Sequence, residues 1–244
     1  MNPVRSSLAE VLQTRVENTS ETSNGMKTVV VTGASRGIGL ATANKFLSEG
    51  WRVIGTYLNS SIPLEHENLT TFQYDQGDAE SIERLAGEIN NLDILVNNAG
   101  VLLDEDDTEV IPDKLRKTLE INLIGVTDLT ERLIGKISPG GQIINISSSA
   151  GSLNLPNNHD HFPGYYPSYK ISKTALNMYT KTLAGRLVGK NITVSSLHPG
   201  WVKTQMGGDE ATRSPEEVAE DIFTLATSQV ETGQFWHKGE KFPW

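Results

Sequence analysis

The chain predicts a single α/β domain, built on a doubly wound parallel sheet of about seven strands with helices on both faces. Three observations predict it. Short apolar strand patterns alternate with helical patterns from residue 27 onward, which means a parallel sheet covered on both sides. The first strand runs directly into a glycine-rich turn that opens a helix. The length of 244 residues suits one sizeable core and is short for two full domains, and no internal repeat is present.

The elements follow in order. Residues 1–25 are polar, rich in Ser, Thr, Asn and Glu, and are expected to form a flexible extension ahead of a domain over 26–244. Thr28-Val29-Val30-Val31 reads as a buried strand, and Gly39 to Glu49 as a helix stopped by Gly50. Arg52 to Tyr57 and Leu69 to Tyr74 read as the second and third strands. Asp78 is a good N-cap for a helix reaching Ile89, and Asp93 to Val96 is a fourth strand. Pro112 to Ile137 carries one long helical pattern, and Gln142 to Ser147 a fifth strand. A helix over Ser168 to Val188 and a strand over Ile192 to Leu197 come next. Ser214, Pro215 and Glu217 open a further helix, with Ser as N-cap and Pro at the first position.

Composition narrows the function. The net charge of −9 disfavours nonspecific nucleic-acid binding. No apolar run approaches the ~20 residues a membrane helix needs. Cysteine is absent, which removes disulfides and thiolate metal sites and fits a reducing, cytoplasmic compartment. His159 and His161 lie two apart among prolines and glycines, and read as a loop rather than a metal site; no metal is expected.

The turn Thr32-Gly33-Ala34-Ser35-Arg36-Gly37-Ile38-Gly39 places backbone N–H groups at a helix N-terminus, where a pyrophosphate binds. Its spacing, G-x-x-x-G-x-G, differs from the general G-x-G-x-x-G fingerprint. Sites selective for NAD place a carboxylate ~20 residues further on, against the ribose 2′-hydroxyl. Here that region reads Gly55-Thr56-Tyr57-Leu58-Asn59-Ser60-Ser61, without an acid. Arg36 is placed to meet a 2′-phosphate, with Asn59 and Ser60 as hydrogen-bond donors. NADP(H) is therefore expected over NAD(H).

Tyr169 and Lys173 stand four apart on a predicted helix and share a face. A cation beside a phenol favours the phenolate, which would bring the phenol's pKa down toward useful acid–base chemistry. Tyr166 and Lys170 have the same spacing, so spacing alone does not choose between the pairs.

Together these motifs resemble the short-chain dehydrogenase/reductase family over roughly residues 27–244, a Rossmann fold. Within it, Pro199-Gly200-Trp201-Val202-Lys203-Thr204-Gln205-Met206-Gly207-Gly208 and the ending Gly239-Glu240-Lys241-Phe242-Pro243-Trp244 resemble the C-factor and sniffer group of carbonyl reductase-like enzymes. The resemblance implies a catalytic set of Asn122, Ser148, Tyr169 and Lys173. Ser148 is selected because the family's serine stands three residues before a glycine, here Gly151, and Thr174-Ala175-Leu176 favours Tyr169 and Lys173 over the upstream pair. It further implies cofactor contacts from Gly33, Ser35, Arg36, Gly37, Ile38 and Gly39 in the turn. Asp75, with Gln76, matches the acid that meets the adenine. Asn97, Ala99 and Gly100 belong to the motif that supports the central sheet. Pro199, Gly200, Val202 and Thr204 belong to the loop that holds the carboxamide, and Tyr169 and Lys173 complete the cofactor contacts.

The activity so implied is hydride transfer between NADP(H) and a carbonyl or secondary alcohol. Tyr169 acts as acid and base, Lys173 binds the ribose hydroxyls, and Asn122 positions a water. The family also implies a homodimer or homotetramer, with the 112–137 and 168–188 helices pairing across subunits. The chain departs from the commonest pattern by a longer gap between Ser148 and Tyr169, filled by Leu155 to Tyr166. Two alternatives stand beside this reading: a nucleotide-binding regulator with little catalysis, and a nucleotide-sugar epimerase or dehydratase. The second usually needs a larger C-terminal substrate domain. Thr204 to Arg213 reads as a short lid.

Overall fold

The computed structural model describes residues 25–155 and 165–244. The expected extension over 1–25, save its last residue, and most of the inserted segment, including His159 and His161, lie outside the described residues.

β1 (Thr28–Val31) is buried at every position, as its β-branched run requires of a central strand. α1 (Gly37–Ser48) packs Ala43, Phe46 and Leu47 against the sheet. β2 (Arg52–Tyr57) and β3 (Leu69–Gln73) extend the sheet on one side of β1. α2 (Ala79–Glu88) starts where Asp78 accepts the Glu80 N–H, the predicted cap. The chain then crosses back, and β4 (Leu92–Asn97) pairs with the other side of β1. β5 (Ile137–Ile146), β6 (Thr193–Leu197) and β7 (Gln234–His237) follow in parallel, and a two-residue β8 (Glu240–Lys241) closes antiparallel. The order is β3-β2-β1-β4-β5-β6-β7-β8, eight strands where about seven are expected. The reversal of direction at β1 opens a crevice beyond the carboxyl ends of β1 and β4, where ligands bind in such sheets.

Two apolar layers cover the sheet. On one face, α1 and α6 (Pro215–Thr227) cover Val29, Val31 and Val53 with Phe46, Val218 and Ile222. On the other, α2, α4 (Gly125–Leu133) and α5 (Pro167–Leu187) cover Val30, Leu95 and Ile143 with Ile82, Leu129 and Leu183. α6 opens with the expected Ser214–Glu217 capping box.

Four elements differ from the sequence reading. The long helix over 112–137 is broken into α3 (Pro112–Leu119), a π-helical turn at Glu120–Ile124, and α4. A single π turn is too short for the periodicity of the helical segments on either side to register it. It lets Gly125 pack on Gln76, where a Cβ would lie 1.9 Å from the Gln76 carbonyl oxygen. β5 begins at Ile137 rather than Gln142. Its register with β4 shifts between Leu92 and Ile94, so the Pro139-Gly140-Gly141 stretch is an irregularity within a strand. β7 and β8 are short and polar at their ends, and alternation alone does not show them.

Candidate active site

A cleft of about 560 Å³ lies at the reversal point. Its outer wall is the glycine turn. Gly33 and Gly37 adopt φ of +68° and +53°, and a Cβ on Gly39 would lie 2.1 Å from the Gly33 carbonyl oxygen. Only glycine allows strand and helix to approach this closely. The turn is tied down by Gly33 N–H to Thr56 Oγ1 at 3.0 Å and by Asn98 Nδ2 to the Thr32 and Gly33 carbonyls at 2.8 and 3.2 Å. The first turn of α1 holds no acid and no side-chain cap, leaving its N–H groups for an anion. Arg36 is exposed at the rim and hydrogen-bonded to Gln205.

Asp75 and Gln76 line the cleft after β3. Asp75 Oδ1 accepts the Gly77 N–H at 2.9 Å. Gln76 Nε2 donates to the Ala99 and Ile121 carbonyls at 3.0 and 2.7 Å, while its Oε1 is buried without a partner among the described residues.

The π turn points Asn122 inward, 1% exposed. Its Nδ2 donates to the Val101 carbonyl at 2.8 Å and to Ser172 Oγ at 3.1 Å, and its Oδ1 accepts the Val101 N–H at 2.8 Å. The amide is thus committed to the protein, and holds the strand exit after β4 against α5.

Ser148 follows β5 as the N-cap of the short turn Ser149–Gly151, with its Oγ accepting the Ala150 N–H at 3.1 Å. Tyr169 and Lys173, one turn apart on α5, both line the cleft. Lys173 Nζ donates to the Ile146 carbonyl at 2.8 Å and lies 5.6 Å from the Tyr169 ring centroid. Burial pushes Tyr169 up to about 12, opposed by a hydrogen bond with Ser148, and pushes Lys173 down to about 8. This runs opposite to the expectation of a lowered phenol pKa: burial raises Tyr169, and what opposes it is the hydrogen bond with Ser148. The upstream pair is used differently. Tyr166 is the left-handed N-cap residue of α5, and Lys170 lies over its ring at 5.3 Å.

Several predicted cofactor contacts stand off the cleft wall. Asn59 and Ser60 are exposed beyond β2, where Tyr57 and Leu58 line the cleft instead. Asn97 is 2% exposed, and its Nδ2 bonds Thr130 Oγ1 at 3.0 Å and Asn145 Oδ1 at 2.8 Å, within a chain continued by Thr180 and Ser196 that stitches β4, β5 and β6 to the helices. Val202 is buried in the core, and Gly200 (φ +83°) packs on Arg213. Pro199 and Thr204 do line the cleft, with Lys203, Gln205 and Met206 beside them. Sequence reading missed these last three as site residues, although they sit in the motif it singled out. The segment after Thr204 closes on itself, with Lys203 N–H to Arg213 O at 2.8 Å and Trp201 Nε1 to Gly207 O at 2.7 Å. Among the described residues no helix is long and apolar enough to cross a membrane, and no His/Asp/Glu cluster is suited to a metal.

This is an α/β domain with a nucleotide-type crevice and an ionisable pair at its inner end. Residues 27–214 match the model of the short chain dehydrogenase family, and the chain belongs to that family of oxidoreductases. It is 30% identical over 226 residues to a 3-oxoacyl-[acyl-carrier-protein] reductase of Synechocystis sp., covering 81% of this chain and 88% of the relative. Its fold superposes on the carbonyl reductase Sniffer of D. melanogaster with a TM-score of 0.80, at 26% identity, covering 90% of this chain and 100% of the other. The NADPH-bound carbonyl reductase from chicken fatty liver is similar with a TM-score of 0.79, at 26% identity, over 90% and 94% of the two chains.

Proposed function

We propose that the protein transfers a hydride between NADP(H) and a carbonyl or the corresponding secondary alcohol, with Tyr169 as the acid–base residue. The observation that carries this reading is the meeting of Tyr169 and the buried Lys173 on the wall of one cleft that begins at the glycine turn, with Ser148 hydrogen-bonded to Tyr169. A dinucleotide fits the residues present. The cradle is too tight for a Cβ at Gly39, the first turn of α1 has uncapped N–H groups, and Gln76 Oε1 is an orphaned acceptor on the wall.

The glycine turn would hold the pyrophosphate, Asp75 the adenine, Lys173 the ribose hydroxyls, and Pro199 and Thr204 the carboxamide end. When bound, the nicotinamide supplies the hydride chemistry. In reduction, Tyr169 gives its phenolic proton to the substrate oxygen as negative charge develops there. Ser148 hydrogen-bonds the same oxygen and stabilises that charge. Lys173 keeps a cation behind the phenol. Asn122 orders the Val101 backbone and α5 around that ammonium. The test is oxidation of NADPH against a panel of aldehydes, ketones and quinones. Firm NADPH binding with no turnover on any of them would favour the nucleotide-binding regulator instead.

Selectivity for NADP(H) rests on Arg36 at the rim and on the absence of a carboxylate after β2. A charge-assisted bond to a 2′-phosphate contributes roughly 1.5–3 kcal/mol. Wild type should therefore show kcat/KM at least ~10-fold higher with NADPH than with NADH, and Arg36→Ala should erase most of that ratio. An NADH preference in wild type would sink the assignment.

Ile124, Ile171 and Met178 leave apolar side chains exposed on the π turn and α5. They support self-association through these helices as a dimer or tetramer. Sedimentation showing a monomer at all concentrations would count against it.

A further inference from the structure

We infer that His198 is a positioning residue for this reaction: its neutral imidazole pins the Ser148 turn to the Pro199–Gly200 loop, and protonation of Nδ1 releases the pin. The inference rests on the reading of Ser148 as the group that meets the substrate oxygen.

His198 Nδ1 accepts the backbone N–H of Ser149 at 3.1 Å and that of Gly200 at 3.3 Å. Both partners are donors only, so Nδ1 must present a lone pair and the ring proton sits on Nε2. An imidazolium carries N–H on both nitrogens. It would lose both bonds and turn an N–H toward two others. The ring is itself held. It stacks on His237 at 4.6 Å and 27°, and tilts against Phe242 at 5.1 Å. The His198 carbonyl accepts from His237 Nδ1 at 2.9 Å, and its N–H donates to the Trp236 carbonyl at 2.8 Å. The part that yields is therefore the Ser149 backbone, which belongs to the single turn capped by Ser148. Moving Ser149 moves the hydroxyl that partners Tyr169.

Among the described residues, titratable groups packed against His198 include His237 from β7 and, through Pro199, Arg213. Arg213 donates to the Pro199 carbonyl at 2.7 Å and pairs with Asp221 at 2.8 Å. The β7–β8 hairpin also carries Lys238, Glu240 and Lys241, the last paired with Glu231. On the side of Ser148 stand Tyr169 and Lys173. These two, near 12 and 8, both hold their protons in acid. Neither can make carbonyl reduction fall as pH is lowered, so an acid-side loss must come from another group.

The experiment is kcat/KM for carbonyl reduction from about pH 5 to pH 8 in wild type, His198→Asn and His237→Gln. The asparagine oxygen accepts an N–H without titrating. Wild type and His237→Gln should lose activity on the acid side, approaching tenfold per pH unit, and His198→Asn should be flat there. No acid-side loss in wild type, an unchanged loss in His198→Asn, or a loss abolished only in His237→Gln overturns the inference. Should His198→Asn fail to fold, imidazole ¹⁵N shifts of wild type at about pH 7.5 decide it: an unprotonated Nδ1 supports the pin, and a protonated one overturns it. Absence of NADPH-linked turnover at every pH would fail the proposed function, and the ¹⁵N measurement would still judge the pin.

Discussion

Tyr169→Phe is expected to lower kcat by ~100-fold or more while leaving NADPH affinity near the wild-type value. The ring stays, so the wall of the cleft and the edge-on contact with Tyr166 at 6.4 Å are retained. What is lost is the hydroxyl that shares a hydrogen bond with Ser148 and carries the proton. A phenol pushed up to about 12 remains protonated across the neutral range, which suits a donor in the reduction direction. A loss of ~100-fold is about 2.7 kcal/mol of barrier, within reach of one general acid. Fluorescence titration of NADPH and steady-state turnover separate the two effects. Near-normal turnover would refute the assignment, and lost affinity with normal turnover would make Tyr169 a binding residue only.

Lys173→Met is expected to abolish most turnover and yet to make the protein more stable. Lys173 is 5% exposed, and burial brings its ammonium from the ordinary 10.5 down to about 8. A depressed lysine pKa means that the unfolded chain binds more protons between these values. The group therefore burdens the folded state most below pH 8, and the burden fades as pH rises toward 10.5. Methionine fills similar volume without the charge. Against this stands the Ile146 carbonyl, which loses its donor at a cost of about 1 kcal/mol. The net gain expected at neutral pH is on the order of 2 kcal/mol, read as a higher midpoint in urea, and shrinking as pH rises from about 8 toward 10.5. In wild type the same titration removes the cation behind Tyr169, so reduction should decline above about pH 8. A destabilised Lys173→Met with unaltered turnover would contradict both parts. Stability given up at a site that needs a charge is a common trade in enzymes.

The legible parts were those written in neighbouring residues. Asp78 and Ser214 act as the caps their types predict. The glycine turn sits between β1 and α1 because positive φ and close approach both demand glycine there. Asn97 shows the limit. As an amide in a motif it reads as a site residue, but its side chain lies between strands and bonds Thr130 and Asn145, partners far along the chain. The π turn at Glu120–Ile124, which holds the buried Asn122, was equally silent, because a single widened turn is too local for the surrounding helical pattern to reveal.

By itself the sequence determined the alternation of strand and helix, the anion-binding turn and two candidate Tyr–Lys pairs, since these depend on short-range sterics and periodicity. Thr174-Ala175-Leu176 favours Tyr169 and Lys173 by resemblance, and the tertiary structure adds where each pair lies. Tyr169 and Lys173 face the cleft where β1, β4 and β5 end, while Tyr166 caps the helix with Lys170 across its ring. It also set the sign of the phenol's shift. Spacing puts a cation near a phenol, but the free energy of charging either group is governed by how much water surrounding segments remove, and those segments meet only in the folded chain.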